Sequence, residues 1–229
     1  KPFIESKDWL RQAYYSYEGE YITDLSNQLQ SSKHLITPFH FLFESGDEVF
    51  LEIENSADVP GSDFRIYNVA GDENDVFIPV GDYSWTRGII GFQTSSRRKL
   101  QFQHDYSFGD FYDGTRIENT SELTYLPSKY FGAEMSYSNQ DVELPAGDFN
   151  IKLASLTALI NFTPDFTWSN VVQYDNVSDS LGVNSRLIWE YRPGARIFLV
   201  LNQSYLDERT GFVRKQMDTT LKLSSIFRF

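Results

Sequence analysis

The chain has 229 residues, a formal net charge of −12, no Cys, and 14 Tyr, 19 Phe and 4 Trp. The charge excludes nucleic acid as the natural partner, because phosphate binding needs an excess of Lys and Arg. The missing Cys removes disulfides, thiolate zinc sites and thiol nucleophiles together. No apolar run approaches the roughly 20 residues of a spanning helix, so any membrane crossing would be made by strands.

The chain opens on Lys1 without an initiator Met or a leader, as expected of a mature or trimmed segment. The stretch from Glu5 to Tyr15 is the one that most resembles a helix, but it is short and runs into alternating residues. Tyr15 and Tyr17 alternate with Ser16, Glu18 and Glu20, which predicts a first strand ending near Asp24. Leu35, Thr37, Phe39, Phe41 and Phe43 mark one face of a second strand. Pro38 interrupts it and predicts a bulge or an edge, since proline cannot donate to the ladder. Glu44-Ser45-Gly46-Asp47 predicts a tight turn into a strand where Val49, Leu51 and Ile53 alternate with Phe50, Glu52 and Glu54.

Residues 55–76 break this rhythm and read as one long acidic loop, with a short strand at Phe64–Val69. Asp58, Asp63, Asp72, Glu73 and Asp75 raise the question of a calcium site, because hard cations take oxygen ligands. Their spacing is not that of an EF-hand, and a solvated loop is the simpler reading.

Beyond the loop a strand runs through Trp85 and Ile89. Phe102, His104, Tyr106 and Phe108 then oppose Gln101, Gln103, Asp105 and Ser107. Arg116, Glu118, Thr120, Glu122 and Thr124 oppose Ile117, Asn119, Ser121, Leu123 and Tyr125, and Glu134 lies opposite Phe131, Met135 and Tyr137. Phe166, Trp168, Val172 and Tyr174 oppose Thr167, Gln173 and Asp175; Val183, Leu187, Trp189 and Tyr191 oppose Asn184, Arg186, Glu190 and Arg192. Leu221, Leu223, Ser225, Phe227 and Phe229 form one face of the last strand.

The expected fold is all-β: an antiparallel transmembrane β-barrel of about 12 strands, forming a single domain. A soluble sandwich shares the period-2 alternation. Strands of roughly 10 to 16 residues suit a tilted span better than the 5 or 6 usual in soluble sheets. Short turns at Pro127-Ser128, Thr163-Pro164-Asp165 and Arg192-Pro193-Gly194 alternate with longer links at 138–147, 175–182 and 206–211. Aromatics near these turns suit the headgroup zone of a bilayer. Candidate lumen-lining residues are Arg116, Glu118, Glu122, Glu134, Gln173, Asp175, Asn184, Arg186, Glu190 and Arg192.

No catalytic set emerges. His34 and His40 share strand parity, but Pro38 lies between them and no third metal ligand is evident. No G-x-S-x-G elbow accompanies His40 or His104. Glu118 and Glu122 share a strand face, whereas a glycosidase pair must face across a bound sugar. The expectation is a protein without catalytic residues, metal or cofactor.

From residue 77 onward the wording resembles a known family. "IPVGDYSW", "VELPAGDF", "FTPDFTWSNVVQYDNVSDSLGVNSRLIWEYRPGARIFLVLNQ" and "TTLKLSSIFRF" are similar to the C-terminal domain of unknown function that follows a family-nine-type carbohydrate-binding module in Gram-negative proteins. The likeness is distinct over residues 77–229 and loose before them. It implies an outer-membrane barrel, with the bilayer and the barrel-assembly machinery as partners. It further implies that Phe227 and Phe229 present the assembly signal, and that any carbohydrate-binding domain lies outside this chain. Two functions follow as expectations: a narrow channel or uptake barrel for a small polar solute, a saccharide among the candidates, or an anchor that displays a sugar-binding domain or docks to another envelope protein. The mixed-charge face between residues 116 and 192 favours the channel.

Overall fold

The structure is a computed structural model that describes residues 8–68, 75–208 and 211–226. No described residue is helical. The strands are β1 Leu10–Thr23, β2 Leu29–Phe43, β3 Glu48–Asp58, β4 Phe64–Tyr67, β5 Val76–Ile78, β6 Tyr83–Gln93, β7 Leu100–Phe111, β8 Gly114–Ser128, β9 Phe131–Glu143, β10 Phe149–Thr163, β11 Phe166–Asp175, β12 Ser180–Arg192, β13 Ala195–Glu208 and β14 Gly211–Ser225. Twelve of them form one sheet in the order β1-β2-β3-β6-β7-β8-β9-β10-β11-β12-β13-β14, and β4 and β5 pair separately. β1 and β14 end this order and do not pair with each other among the described residues. The fold is therefore all-β with a twelve-stranded antiparallel sheet, as the alternation predicts.

Several local expectations need correction. The N-terminal stretch that resembles a helix is already strand from Leu10. β3 runs on through Asp58, so the loop expected over 55–76 begins later, and it carries both β4 and β5. The turn expected at Pro127-Ser128 lies at Lys129-Tyr130, because Pro127 and Ser128 close β8. The long links are shorter than their composition suggests: β9 extends to Glu143 and β13 to Glu208. Polar strand ends resemble loops in sequence, yet their backbones continue the ladder.

Pro38 does produce the bulge. The β2–β3 register shifts between Ile36 and Phe39. That shift separates residues whose spacing puts them together. Leu35 pairs with Glu54, whereas Phe39 pairs with Leu51 and Phe41 with Val49. His34 pairs with Asn55 and His40 with Phe50, which places the two imidazoles on opposite faces.

Backbone contacts group the chain into two compact units. Unit 1 comprises residues 1–97, 101–121 and 138–151, and unit 2 comprises 98–100, 122–137 and 152–229. In unit 1 cross-strand partners share a face, so the pairings sort its side chains cleanly. One face holds the rows Ile36, Ile53, Gly88, Phe108 and Phe39, Leu51, Ile90, Tyr106. The other holds Leu35, Glu54, Arg87, Gly109 and His40, Phe50, Gly91, Asp105.

The burial is inverted relative to a water-soluble sheet. Ile36, Phe39, Ile53 and Ile90 are exposed, while Thr37, Ser56, Arg87 and Ser107 are buried. A cluster of buried apolar residues lies elsewhere in unit 1: Val76, Ile78, Val142 and Leu144.

In unit 2 the strands pair antiparallel in chain order from β10 to β14, with register shifts at Asn161/Thr163, Glu190/Arg192 and Ser204/Tyr205. One face carries Trp168, Leu187, Leu199 and Leu221 in a single row. The reverse carries Ser169, Arg186, Val200 and Thr220. Every described residue of β14 is exposed.

Candidate functional site

The charged face of unit 1 is built by alternation on β2, β3, β6, β7 and β8. β3, β7 and β8 contribute polar residues at successive alternate positions, whereas β2 contributes Lys33, Thr37 and His40 and β6 only Arg87. Glu52, Glu54 and Ser56 come from β3, Arg87 from β6, Asp105 and Ser107 from β7, and Glu118 and Thr120 from β8. Glu52, Glu54, Arg87, Asp105, Ser107, Glu118 and Thr120, with Phe50 and Ile89, line a cavity of about 350 Å³.

Glu118 is the hub. Arg87 donates to its Oε2 at 3.3 Å, Arg116 donates to the same oxygen, and Gln140 donates to Oε1 at 3.1 Å. Arg87, only 8% exposed, also donates to Ser107. Lys33 pairs with Glu54 at 2.9 Å, and Ser56 donates to Glu54 at 3.2 Å. A buried charge is tolerated when paired and hydrogen-bonded, and each of these is paired, although the buried Nε atoms of Arg87 and Arg116 have no acceptor. Asp105 receives Gln103 on Oδ2 at 2.9 Å, while its buried Oδ1 has no protein donor. Gly91 makes room for this arrangement: a Cβ there would lie 2.0 Å from the Phe50 ring and 2.6 Å from Asp105 Oδ1.

Of the candidates read from sequence, the structure brings Arg116 and Glu118 into this cluster. Glu122 is exposed further along β8 and accepts from Thr124 at 3.3 Å. Glu134 is exposed on β9. In unit 2, Gln173, Asp175, Asn184, Arg186 and Glu190 share one face by register, but they do not form one network. Asn184 donates to Asn202. Asp175 accepts from Val177 N at 2.8 Å and Ser178 Oγ at 2.9 Å, which closes the β11–β12 link. Glu190 accepts from Gly194 N at 3.0 Å and Arg196 Nε at 2.6 Å, bracing the β12–β13 turn. Arg192 lies beyond a register shift, over the Tyr191 ring. Phe227 and Phe229 lie outside the described residues.

Sequence reading missed Arg87, Asp105, Lys33 and Glu54 as members of the site. The usable signal was the alternation of Glu52 and Glu54 with Leu51 and Ile53. Arg87 is isolated among apolar and small neighbours, so its partners appear only once β3, β7 and β8 are aligned.

The β4–β5 hairpin forms the second feature of unit 1. Phe64, Ile66 and Tyr67 pack with Tyr83, Phe111, Tyr112 and Phe149 around the buried Val76–Ile78–Val142–Leu144 cluster. Tyr67 stacks on Phe149 at 4.5 Å, and Tyr112 meets Phe64 at 5.9 Å, Tyr83 at 5.1 Å and Trp85 at 4.6 Å. The Tyr112 hydroxyl donates to Asp58 at 2.8 Å. Burial, followed by this bond to a carboxylate, pushes the Tyr112 phenol above its ordinary range.

The acids once weighed as calcium ligands have protein partners. Asp63 accepts from Val80 N at 2.8 Å. Asn68, then Arg65, hold Asp75 below the ordinary carboxylate range. Asp72 and Glu73 lie outside the described residues, and no group of three metal-binding side chains occurs among the described ones.

Scans against protein-family models, curated proteins and solved structures each found no match. What the geometry itself defines is an all-β protein with a twelve-stranded antiparallel sheet, which in unit 1 has a charged, buried face and an apolar, exposed one.

Proposed function

We propose that the chain is a bacterial outer-membrane β-barrel whose charged face lines a narrow path for a small polar solute. The observation that carries this reading is the inverted burial of unit 1: guanidinium, carboxylate and hydroxyl groups are covered while Ile36, Phe39, Ile53 and Ile90 are bare. In water that exposure is a liability, but against lipid it is the required arrangement. In that setting the outer edge of β14, which ends the sheet, needs a partner, because a strand in hydrocarbon must have its backbone groups paired. The reading therefore requires the sheet to close.

The solute reading follows from the cavity. It is lined by carboxylates, a guanidinium and hydroxyls, which suit a hydrophilic molecule. A second reading is favoured by the same cluster, because its ion pairs compensate one another and leave little room. In that case the barrel is an anchor, displaying the carbohydrate-binding domain that the resemblance implies or docking to another envelope protein.

Two measurements test these readings. Detergent-solubilised protein should shift in gel mobility on boiling; identical mobility together with solubility in plain buffer would refute the membrane reading. Reconstituted into planar bilayers, the channel gives discrete current steps, whereas the anchor gives none.

A further inference from the structure

We infer that the β4–β5 hairpin is a built-in cap, seated on the charged face at its β3–β6 end and restricting entry to the path beneath it. The inference rests on the path proposed above and adds a device that controls it.

The placement follows from register. Ser56 pairs with Trp85 and Asp58 with Tyr83, one and two steps beyond the Glu54–Arg87 row on the same face. Along β6 this face reads Tyr83 and Trp85, then Arg87 and Ile89: two aromatics, then the cavity lining. β7 repeats the change, with Phe111 beyond Ser107. On β9, Val142 lies two residues beyond Gln140, the residue that donates to Glu118. The face thus changes from charged to apolar over one strand interval, and the hairpin covers the apolar part. Val76 is 3% exposed, Ile78 1%, Val142 3% and Leu144 6%, together a buried apolar cluster.

A surface loop needs no such core. This one is fixed at three points: the Tyr67–Phe149 stack, the Phe64–Tyr112 edge contact and the Ile78 contacts. Apolar packing of this size is marginal enough to open locally while the surrounding ladder stays paired. Closure therefore depends on contacts separate from those holding the sheet.

The β3–β6 ladder offers a direct test, because Asp58 and Tyr83 are cross-strand partners. Residues 59–82 can be exchanged for a tight Asn-Gly turn without altering the pairing on either side. In planar bilayers the shortened protein should carry several-fold more current than the parent, provided that its boiling-dependent gel shift is retained. A second variant preserves the hairpin. The chain has no Cys, so a Tyr67→Cys/Phe149→Cys pair holds its only thiols. Bridging them should suppress the current, and reduction should restore it. Equal current from parent and shortened protein, with no effect of bridging, overturns the cap and leaves the path standing. No current from any folded form overturns both.

Discussion

In unit 1, Glu118 gathers Arg87, Arg116 and Gln140, and Glu54 gathers Lys33 and Ser56. In unit 2 the analogous cross-strand bonds are between neutral groups: Asn184 to Asn202, Ser136 to Ser155, and Trp168 to Ser185 at 2.8 Å. Its ion pairs sit at strand ends: Glu190–Arg196 at the β12–β13 turn and Glu208–Lys215 beside the β13–β14 link. The same strand geometry therefore carries a dense charge network in one unit and scattered amide and hydroxyl contacts in the other. The charged unit is also the one with a hairpin packed on its face. Where charges are concentrated and covered, each depends on several neighbours. Where polar groups are neutral and half-exposed, each can be lost at little cost.

The sharpest way to break this contrast is to remove the hub. Glu118→Ala leaves two guanidiniums without their shared acceptor and should destabilise the protein by about 3–5 kcal/mol. Asn202→Ala in unit 2 should cost about 1 kcal/mol. Urea-unfolding midpoints in detergent would compare the two, and equal losses would mean that the network is not cooperative. Next in size is a pair of adjacent substitutions in β6. Ile90→Lys places a charge on the apolar face and should lower assembly into bilayers by about 2–4 kcal/mol. Ile89→Lys, one residue away on the charged face, should assemble normally. In a water-soluble sheet the order reverses, because exposed Ile90 would accept Lys freely.

The smallest effect is a pH response confined to the cap. The Tyr112 pKa is raised in the folded protein, so its neutral form is favoured there. Its stabilisation is complete below the ordinary tyrosine pKa of about 10 and is lost as pH rises through the higher folded value. A phenolate absorbance titration should show a late-ionising component that shrinks by one tyrosine in Tyr112→Phe. Hydrogen exchange near Asp58 should speed up at high pH in the parent.

Much of the sheet was legible in the residue order. Alternation identified β7, β8, β11 and β12 with their faces correct, because each is an unbroken period-2 run whose partners are sequence neighbours. Pro38 signals a bulge or an edge, yet alternation carried through the extra residue groups Phe39 and Phe41 with Leu35 and Thr37, which lie on the other face. The hairpin cap was hidden by its composition. Asp, Asn, Gly and Pro around Phe64–Tyr67 and Val76–Ile78 signal a loop, and the partners that bury those apolar residues, Val142 and Leu144, are more than 60 positions away. For the same reason, Arg116 and Glu118 were found as a local pair, whereas Arg87 needed the aligned strands.

The shift at Pro38 acts on β2 as a frameshift acts on a message. Up to Thr37 the odd-numbered residues Lys33, Leu35 and Thr37 belong to the charged side; from His40 on, the even-numbered residues His40 and Leu42 do. A position-by-position substitution scan of β2 should therefore alternate, skip one beat at Pro38, and resume in the opposite phase. Deleting that single residue would remove the extra position and leave a regular strand, with Lys33, Leu35, Thr37, His40 and Leu42 still on the charged side and Phe39 and Phe41 still on the apolar one.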